Sequence, residues 1–562
     1  MNKALKRRAA CSFGVGVALA LSLLGADSLH AQFTGFTNQG LVAVGRLSGD
    51  NFDALGPTND SLGGIFSGLA FDPASWSRSG DESSGFTYGA TFYCVPDRGY
   101  GAGPLGGTLD YRLRVHTLHI TVTPYYGSAA TNQTQISLTN TLTRLFTYDD
   151  GILFTGFSGN DTAFTAYPKS ADDSLGGGRR SLDPEGLVRT RDGGFYVCDE
   201  YGPFIYRFDS NAVLQSTLTP PAAWIPKVGA TYPRTNNFTA VTGPDSGRKN
   251  NRGIEGVAIT PDEKRLFAML QSPLVQDGGE DNASRNTRLL VFDVDPASPA
   301  RNQAIAEYVY ELTLNGNAGR TRQTITSEIL ALNSHQLLVL DRDQRGRNSG
   351  STSAMIYKQA VLVDLNGATN ILNSGYDLEL GAPGQTSFPL NGLPAGIRSL
   401  ARQDFVNLLD TTQLSKFGLN LNAASPDSNT MVEKWEAMAV LPLNDFAAPD
   451  DYLLLVGCDN DFGATTVYHN GVVVGNNPEV TDHVLLAYRV TLPNYGLPSA
   501  PTLTIQRSGA ALEISWPAAF SNFVLQSSTS LDAGSWTNFP ASGNSITVEA
   551  TNSARFFRLL AP

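Results

Sequence analysis

Acidic side chains gather at the ends of predicted β-hairpins, which is a pattern that can hold a metal ion. Residues 181–209, SLDPEGLVRTRDGGFYVCDEYGPFIYRFD, contain three short apolar runs separated by turn residues, and these predict three strands. Because the second strand runs back antiparallel to the first, its end lies where the first strand begins. Asp183, Glu185, Asp199 and Glu200 are therefore expected at one sheet edge. Like charges at that edge need water, a cation or protonation to coexist.

The same arrangement recurs along the chain. An earlier copy at residues 67–71 lacks the glutamate but is followed by Asp97 and Arg98. Repeated hairpins with marked ends are typical of a radial β array. The acids of the pattern are Glu185, Glu255, Glu328 and Glu436 at strand starts, with Asp97, Asp199, Asp341, Asp343, Asp459 and Asp461 at strand ends.

Hard oxygen ligands in such numbers suit Ca²⁺, which accepts six to eight of them. The predicted metal ligands are Glu185, Glu255, Glu328, Glu436, Asp97 and Asp459. The interleaved cations, Arg98, Arg252, Arg342 and Lys434, would bind a phosphate or carboxylate or would neutralise the acids. The structural alternative is that each glutamate caps the backbone of a neighbouring blade and each aspartate forms an Asx turn.

Other catalytic signatures are missing from the sequence. It contains no GxSxG, HExxH or GxxxxGK[ST] motif, and its six histidines do not cluster along the chain. Arg248 and Lys249 belong to a long polar connection and are expected in a solvated loop. Cys94, Cys198 and Cys458 lie near the ends of predicted second strands, where they are interpreted as core residues.

Composition favours an all-β fold. With 56 glycines, 30 prolines and only 16% charged residues, the 562-residue chain suits many short strands and turns. The repeats predict a β-propeller of about six blades, with five or seven as alternatives. A strand at residues 40–47 is expected to pair with residues 483–490 and to close the ring. The apolar spacing over residues 400–417 predicts a helix.

The chain divides into three predicted parts. Residues 1–31, with a basic start and a short apolar run, read as a cleaved secretory signal, and no later run is long enough for a membrane span. Residues 32–497 form the predicted propeller, and residues 498–562 predict a small fibronectin-III-like β-sandwich. After cleavage 36 basic and 51 acidic residues remain, about −15 in formal charge, which argues against nucleic-acid binding.

Several motifs together resemble the phytase-like family described as esterase-like activity of phytase. They are DPEGL at 183–187, DEYGP at 199–203, NRGIEGVAITPD at 251–262, DRG at 97–99 and DND at 459–461. The resemblance covers roughly residues 40–490 and implies an exported bacterial propeller related in name to calcium-dependent propeller phytases. Residues 71–76, FDPASW, only faintly echo the multi-aspartate metal motif of those phytases, which puts phytate itself in doubt as a substrate.

Three functions remain open at this stage. The leading hypothesis is a Ca²⁺-assisted hydrolase of phosphate esters or related esters, secreted, periplasmic or held at the cell surface. In it Glu185, Glu255, Arg252 and Asp199 are catalytic, while Arg98, Arg342, Lys434 and Glu200 bind a small anionic substrate. The alternatives are a lactonase-like propeller hydrolase and a non-catalytic binding propeller whose C-terminal part contacts a cell surface or polysaccharide.

Overall fold

Antiparallel β-sheets make up most of the computed structural model. It describes residues 33–56, 60–101, 109–156, 164–165, 179–227, 244–278, 284–314, 324–390, 392–445, 447–493, 495–496, 503–509, 511–516, 523–530, 535–540, 544–549 and 554–560. The predicted signal segment lies outside these ranges. No helix within them is long and apolar enough to cross a membrane.

Five sheets in these ranges share one plan, in which the strands of a sheet follow one another from an inner strand outward. We call them blades 1 to 5 in chain order. Blade 1 contains Gly68–Phe71, Gly85–Val95, Arg114–Val122 and Ile136–Leu145, with Ser77–Asp81 paired to its second strand; blade 2 contains Pro184–Arg189, Phe195–Asp199, Ile205–Phe208 and Leu214–Leu218; blade 3 contains Ile254–Ile259, Arg265–Leu270, Asn286–Asp293 and Ala304–Glu311; blade 4 contains Ile325–Ala331, Gln336–Arg342, Lys358–Asp364 and Ala401–Asn407; blade 5 contains Trp435–Pro442, Asp451–Cys458, His483–Thr491 and Thr37–Leu47.

The blades form a β-propeller. Their inner strands contact one another in a closed ring, with blade 5 returning to blade 1. Strand Thr37–Leu47 pairs antiparallel with His483–Thr491, so the prediction that an N-terminal strand closes the ring is confirmed. The buried cores lie between the faces of neighbouring blades, and the three described cysteines are free and buried there, as predicted.

The described part of the chain has five such sheets, whereas the sequence predicted about six blades. The long interval between Glu328 and Glu436 is expected from the sequence to hold either an insertion or an unmarked blade. It is filled by the two outer strands of blade 4, a non-repetitive segment from residue 365 to 400, and the connection that carries the helix. Five blades were among the stated alternatives.

The helix predicted over residues 400–417 is wrong in its first half. Residues Ala401–Asn407 form the outer strand of blade 4, and the helix is restricted to Thr411–Lys416. The Asp410 side chain begins this helix by accepting hydrogen bonds from the N–H groups of Thr412 and Gln413 at 2.9 and 3.3 Å. The unpaired edge of the preceding strand outweighs the helical spacing.

Shorter elements lie in the connections between strands. The described ranges contain the 3₁₀ turns Pro73–Ser75, Ala222–Trp224 and Val275–Asp277, the hairpin of Thr466–His469 with Val472–Asn476, and the parallel pair of Phe164–Thr165 with Arg179–Arg180. The C-terminal region has two three-stranded sheets, Thr504–Ser508, Ala511–Ser515 and Ser545–Glu549, and Val524–Ser528, Thr537–Asn538 and Phe556–Leu560. Phe523 of this region stacks on Trp76, with ring centroids 6.3 Å apart. The boundary at residue 498 remains a prediction.

Glycines let the inner strands approach closely. A Cβ atom placed on Gly256 would lie 2.8 Å from the Ile329 nitrogen of blade 4, and one on Gly186 would lie 2.8 Å from the Val257 nitrogen of blade 3. A Cβ on Gly68 would meet the Leu187 nitrogen of blade 2 at 2.8 Å. Because the obstructing atoms belong to backbone, they cannot move aside like a flexible side chain. Glycine at these positions therefore permits the close packing of neighbouring inner strands.

We predict that Gly256→Ala lowers the stability of the protein. In an unhindered strand, replacing glycine with alanine would stabilise by about 0.4–1 kcal/mol, because the unfolded chain loses freedom. Here the added methyl group meets backbone of the next blade, and overpacking costs about 1–3 kcal/mol. Urea unfolding of the wild type and the variant measures the sign of the change. A more stable Gly256→Ala protein would contradict the close-approach explanation.

Candidate metal and anion site

The acids meet at the mouth where the inner strands begin, which we call the acid mouth. In blade 2, Asp199 pairs with Pro184 across the first two strands, so that the segment after the second strand returns to the start of the first. The other blades repeat this geometry, with Ile254 opposite Leu270 in blade 3 and Trp435 opposite Cys458 in blade 5. Residues just before an inner strand and just after a second strand therefore share this mouth.

Register shifts between the first two strands of a blade occur at or beside the glutamates and change the direction of their side chains. In blades 3 and 5 the register shifts at Glu255 and at Glu436, and in blade 2 it shifts beside Glu185. Bulges of this kind redirect a side chain and commonly occur beside functional sites. In blade 4 the shift falls one residue earlier, at Ser327. Glu328 therefore follows the shifted residue, whereas Glu255 and Glu436 are themselves the shifted residues.

Among the described residues, two groups of three carboxylates each have oxygen atoms within 4.8 Å of one another. We call Asp183, Glu185 and Glu200 the central acid group; all three residues are buried. We call Asp97, Asp459 and Asp461 the lysine-bound acid group, because the Lys434 Nζ lies 2.6 Å from Asp461, 3.2 Å from Asp459 and 3.9 Å from Asp97. The ammonium group already supplies a positive charge to the second group.

The central acid group has less compensation. Arg98 binds Asp183 through its backbone N–H at 2.9 Å and its Nη1 at 2.8 Å. Glu200 keeps a buried Oε1 atom with no hydrogen-bond partner in the described structure. Glu255 and Glu436 each also have one buried carboxylate oxygen with no hydrogen-bond partner among the described residues. Buried carboxylate oxygens without donors are costly, and a bound cation would relieve that cost.

Burial and mutual repulsion raise the pKa values of these acids. Burial, followed by the charge of Asp183, raises the pKa of Glu200 to about 8. Burial and the neighbouring Glu255 raise the pKa of Glu185 well above its ordinary value, and burial with Glu200 does the same for the pKa of Glu255. At neutral pH Glu200 therefore holds a proton unless a cation replaces it.

The lysine-bound acid group is also perturbed. Burial raises the pKa of Asp97 to about 7, although the charge of Lys434 opposes the shift. Burial lowers the pKa of Lys434, but the charges of Asp461 and Asp459 outweigh it and hold that pKa well above its ordinary value. Lys434 therefore remains an ammonium ion throughout the working pH range and competes with any metal for these aspartates.

Arg252 reaches the mouth through a relay of side chains. Its Nη1 donates to the Gln271 Oε1 at 2.5 Å, and the Gln271 amide nitrogen donates to Glu255. Of the four cations predicted to bind an anion, Arg252 is the one with no carboxylate at ion-pair distance in the described structure. Arg342 binds Glu436 and also Glu433, the latter at 3.1 Å, and Arg98 and Lys434 are paired as described.

Two predicted site residues make contacts that suit a structural role. Asp199 accepts hydrogen bonds from the backbone N–H groups of Asp183, Tyr201 and Gly202 at 2.9–3.0 Å. Glu328 lies outside both acid groups, and its carboxylate accepts the Ile329 N–H at 2.8 Å. It also lines the cavity that opens at the other end of the ring, and burial, together with the charges of Glu255 and Glu436, raises its pKa. Glu255 and Glu436 also lie outside both groups, so a ligand role for these three glutamates remains a prediction.

Other predicted strand-end acids lie away from the central acid group. Asp341 accepts a hydrogen bond from the Tyr310 hydroxyl at 2.7 Å, and Asp343 binds the buried Lys358 ammonium at 3.0 Å. Arg248, expected in a solvated loop, is buried and donates to the Tyr201 carbonyl at 2.6 Å. Sequence reasoning missed Gln271, whose position after the second strand of blade 3 matches that of Glu200 in blade 2.

The fold and this site define a β-propeller with an acid-lined axial mouth. A family model described as phytase-like, esterase-like activity of phytase, matches residues 63–462. The chain belongs to this family. It is also 32% identical over 461 residues to an uncharacterized secreted protein of Arthroderma benhamiae, covering 75% of this chain and 86% of the relative. That relative is fungal, so the match does not support the bacterial origin that the sequence suggested.

Solved structures show weaker similarity. The major Malassezia sympodialis allergen Mala s 1 is 12% identical, with a TM-score of 0.29 and coverage of 78% of this chain and 82% of the allergen. The WD40 repeats of RRP9 are 9% identical, with a TM-score of 0.27 and coverage of 80% of this chain and 100% of that chain.

We predict that Glu200→Gln becomes progressively more stable, relative to the wild type, as pH rises from 5 to 8 in metal-free buffer. The pKa of Glu200 is raised from 4.5 to about 8 in the folded protein. Its favourable contribution is thus fully present below pH 4.5 and is lost as pH rises through about 8. The difference grows by up to about 1.4 kcal/mol per pH unit.

Urea unfolding at several pH values measures this difference. Glu479→Gln serves as the control, because the Glu479 side chain is 77% exposed. A stability difference between Glu200→Gln and wild type that stays constant from pH 5 to 8 would show that Glu200 is ionised throughout.

Proposed function

We propose that the protein is a secreted hydrolase of phosphate esters or related esters that uses Ca²⁺ held at the acid mouth. Membership of the phytase-like family supports a propeller hydrolase of the phosphoesterase type. Secretion follows from the secreted relative, with which this chain shares 32% identity. The observation that carries the metal assignment is the central acid group, with its buried, unpaired carboxylate oxygen on Glu200.

The donor set fits a hard divalent cation. Asp183, Glu185 and Glu200 offer carboxylate oxygens only, which Ca²⁺ accepts at variable geometry. Glu255 of blade 3 and Glu436 of blade 5 would offer further carboxylate oxygens at the same mouth. The lysine-bound acid group is the poorer metal site, because Lys434 already lies among its oxygens. When bound, Ca²⁺ would polarise an ester oxygen and lower the pKa of an attacking water.

The chain's own residues then have separate tasks. Arg252, which has no ion pair with the described residues, would bind an oxygen of the anionic substrate and stabilise charge that develops there. Glu255 is oriented by Gln271 and keeps one carboxylate oxygen free, so it would hold or move a proton at that oxygen. Arg98 orients Asp183, and Asp199 holds the backbone turn that presents Glu200.

A second candidate is a non-catalytic propeller that binds an anion. It is favoured by the ion pairs of Arg98, Arg342 and Lys434, which leave only one of the four predicted cations available for a ligand. A single arginine beside a metal ion is sufficient for binding an anion but gives less stabilisation of a transition state than a cluster. Turnover measurements on Arg252 variants separate the two functions.

We predict that Ca²⁺ raises the melting temperature of the wild type and that Glu200→Gln loses most of this shift. Ligand linkage gives roughly 3–4 kcal/mol when the free ion exceeds its dissociation constant by a few hundredfold. Asp459→Asn is the matched control, because Asp459 is equally buried but belongs to the lysine-bound acid group. Calorimetric scans with Ca²⁺ and with chelator measure the shift. Equal loss in both variants, or no shift in the wild type, would refute the assignment.

We also predict that Arg252→Ala lowers turnover about a hundredfold, or about 3 kcal/mol, with little change in melting temperature or Ca²⁺ affinity. Glu255→Gln should instead weaken Ca²⁺ binding. Arg265→Ala is the control, because Arg265 is an exposed arginine of the same blade. The assay uses a panel of phosphomonoesters, phosphodiesters, carboxylic esters and lactones. If the wild type turns over none of these substrates and Arg252→Ala binds anions more weakly than the wild type, the binding propeller is favoured. If Arg252→Ala and Glu255→Gln lower the melting temperature equally, a structural role is favoured.

A further inference from the structure

A second site candidate lies at the end of the ring where the inner strands finish, which we call the opposite mouth. A cavity of about 750 Å³ opens there, and its wall includes residues from the inner strands of all five blades. This volume falls within the range of small-molecule binding sites. No member of the two acid groups lines this cavity, so the assignment of a ligand to it does not rest on the proposed hydrolytic function.

The wall of the cavity is mostly apolar. Phe71, Val188, Ile259 and Leu330, from four different blades, line it and are only half-buried. Leu69, Leu187, Val257 and Met438 lie on the same wall and are fully buried. Half-buried aliphatic and aromatic side chains around one concave space leave apolar surface that a lipophilic ligand would cover.

The charged residues at the rim are balanced. Arg189 lies 3.2 Å from Asp72, and Arg191 lies 3.8 Å from Glu263. The buried acid Glu328 also lines the cavity, where no basic residue of the described wall pairs with it. An anionic ligand would therefore find no free cation and would approach a carboxyl group. A neutral ligand avoids both costs.

The segment after the last propeller strand borders the same mouth. Tyr495 lines the cavity, and its ring contacts Tyr452 edge to face at a centroid distance of 5.1 Å. Gly496 donates a hydrogen bond to the Leu332 carbonyl at 3.1 Å, which holds this segment against blade 4. Trp76 lines the other side and packs on Phe523 of the C-terminal region. The opening is thus defined by aromatic side chains that suit an apolar chain.

We propose that this cavity binds a neutral lipophilic small molecule, an aliphatic chain with an uncharged polar end such as a hydroxyl group. Its chain would lie among Phe71, Val188, Ile259 and Leu330, and its polar end would remain at the solvent-exposed rim near Arg191. Long-chain alcohols and fatty acids share the aliphatic chain and differ in the charge of the head group. Comparing their affinities therefore tests whether the charge-balanced rim disfavours an anionic head group.

The experiment uses the full chain and two brominated probes, 11-bromoundecan-1-ol and 11-bromoundecanoic acid. Bromine quenches tryptophan fluorescence at short range, and Trp76 lines the cavity. We expect saturable quenching by the alcohol with an affinity at least tenfold higher than that of the acid at pH 8. Trp76→Phe should remove most of the quenching while unbrominated undecanol still raises the melting temperature of that variant.

Two cavity-filling variants, Val188→Phe and Ile259→Phe, come from different blades and should each weaken alcohol binding at least tenfold. Val472→Phe is the matched control, because Val472 is 62% exposed on a hairpin away from the cavity. A cooperative melting transition establishes that each variant is folded. Non-saturable quenching of the wild type, unchanged binding in a folded filled variant, or acid binding as tight as alcohol binding would overturn the proposal.

Discussion

The burial of like charges at one mouth is the constraint on which the rest of the structure depends. Each blade returns its second strand to the start of its inner strand, so the acids of separate repeats converge as the ring closes. Burial then raises the pKa values of Glu185, Glu200 and Glu255, and each group must hold a proton, find a cationic partner or share a metal ion. The described ion pairs satisfy only part of this charge.

The two acid groups show two solutions to the same problem. In the lysine-bound acid group, Lys434 provides the positive charge from within the chain. In the central acid group, Asp183 is the one acid with an ion pair to Arg98, and Glu200 has a carboxylate oxygen with no partner among the described residues. This difference makes the central acid group the better metal site, although both groups have the same number of carboxylates. The close glycine contacts let the inner strands of neighbouring blades approach one another just beyond this polar mouth.

Much of this arrangement could be predicted from the sequence, because it follows from local hairpins. The strands around residues 181–209 and the convergence of Asp183, Glu185 and Glu200 follow from turn chemistry and antiparallel pairing. The place of Glu328 could not be predicted, since a register shift at Ser327 is set by strand pairing. Neither could Lys434 among three aspartates, because its partners come from blades 1 and 5. The cavity is built from ordinary strand residues that carry no motif.

The most direct test of the central claim is the number of protons released when Ca²⁺ binds. Isothermal titration at pH 7 in two buffers of different ionisation enthalpy measures this number. Because the pKa of Glu200 is about 8 in the metal-free protein and that of Glu185 is also raised, the bound ion must displace protons. We expect release of about one proton or more per Ca²⁺ bound. Calcium binding without proton release, or no calcium binding at all, would contradict the account.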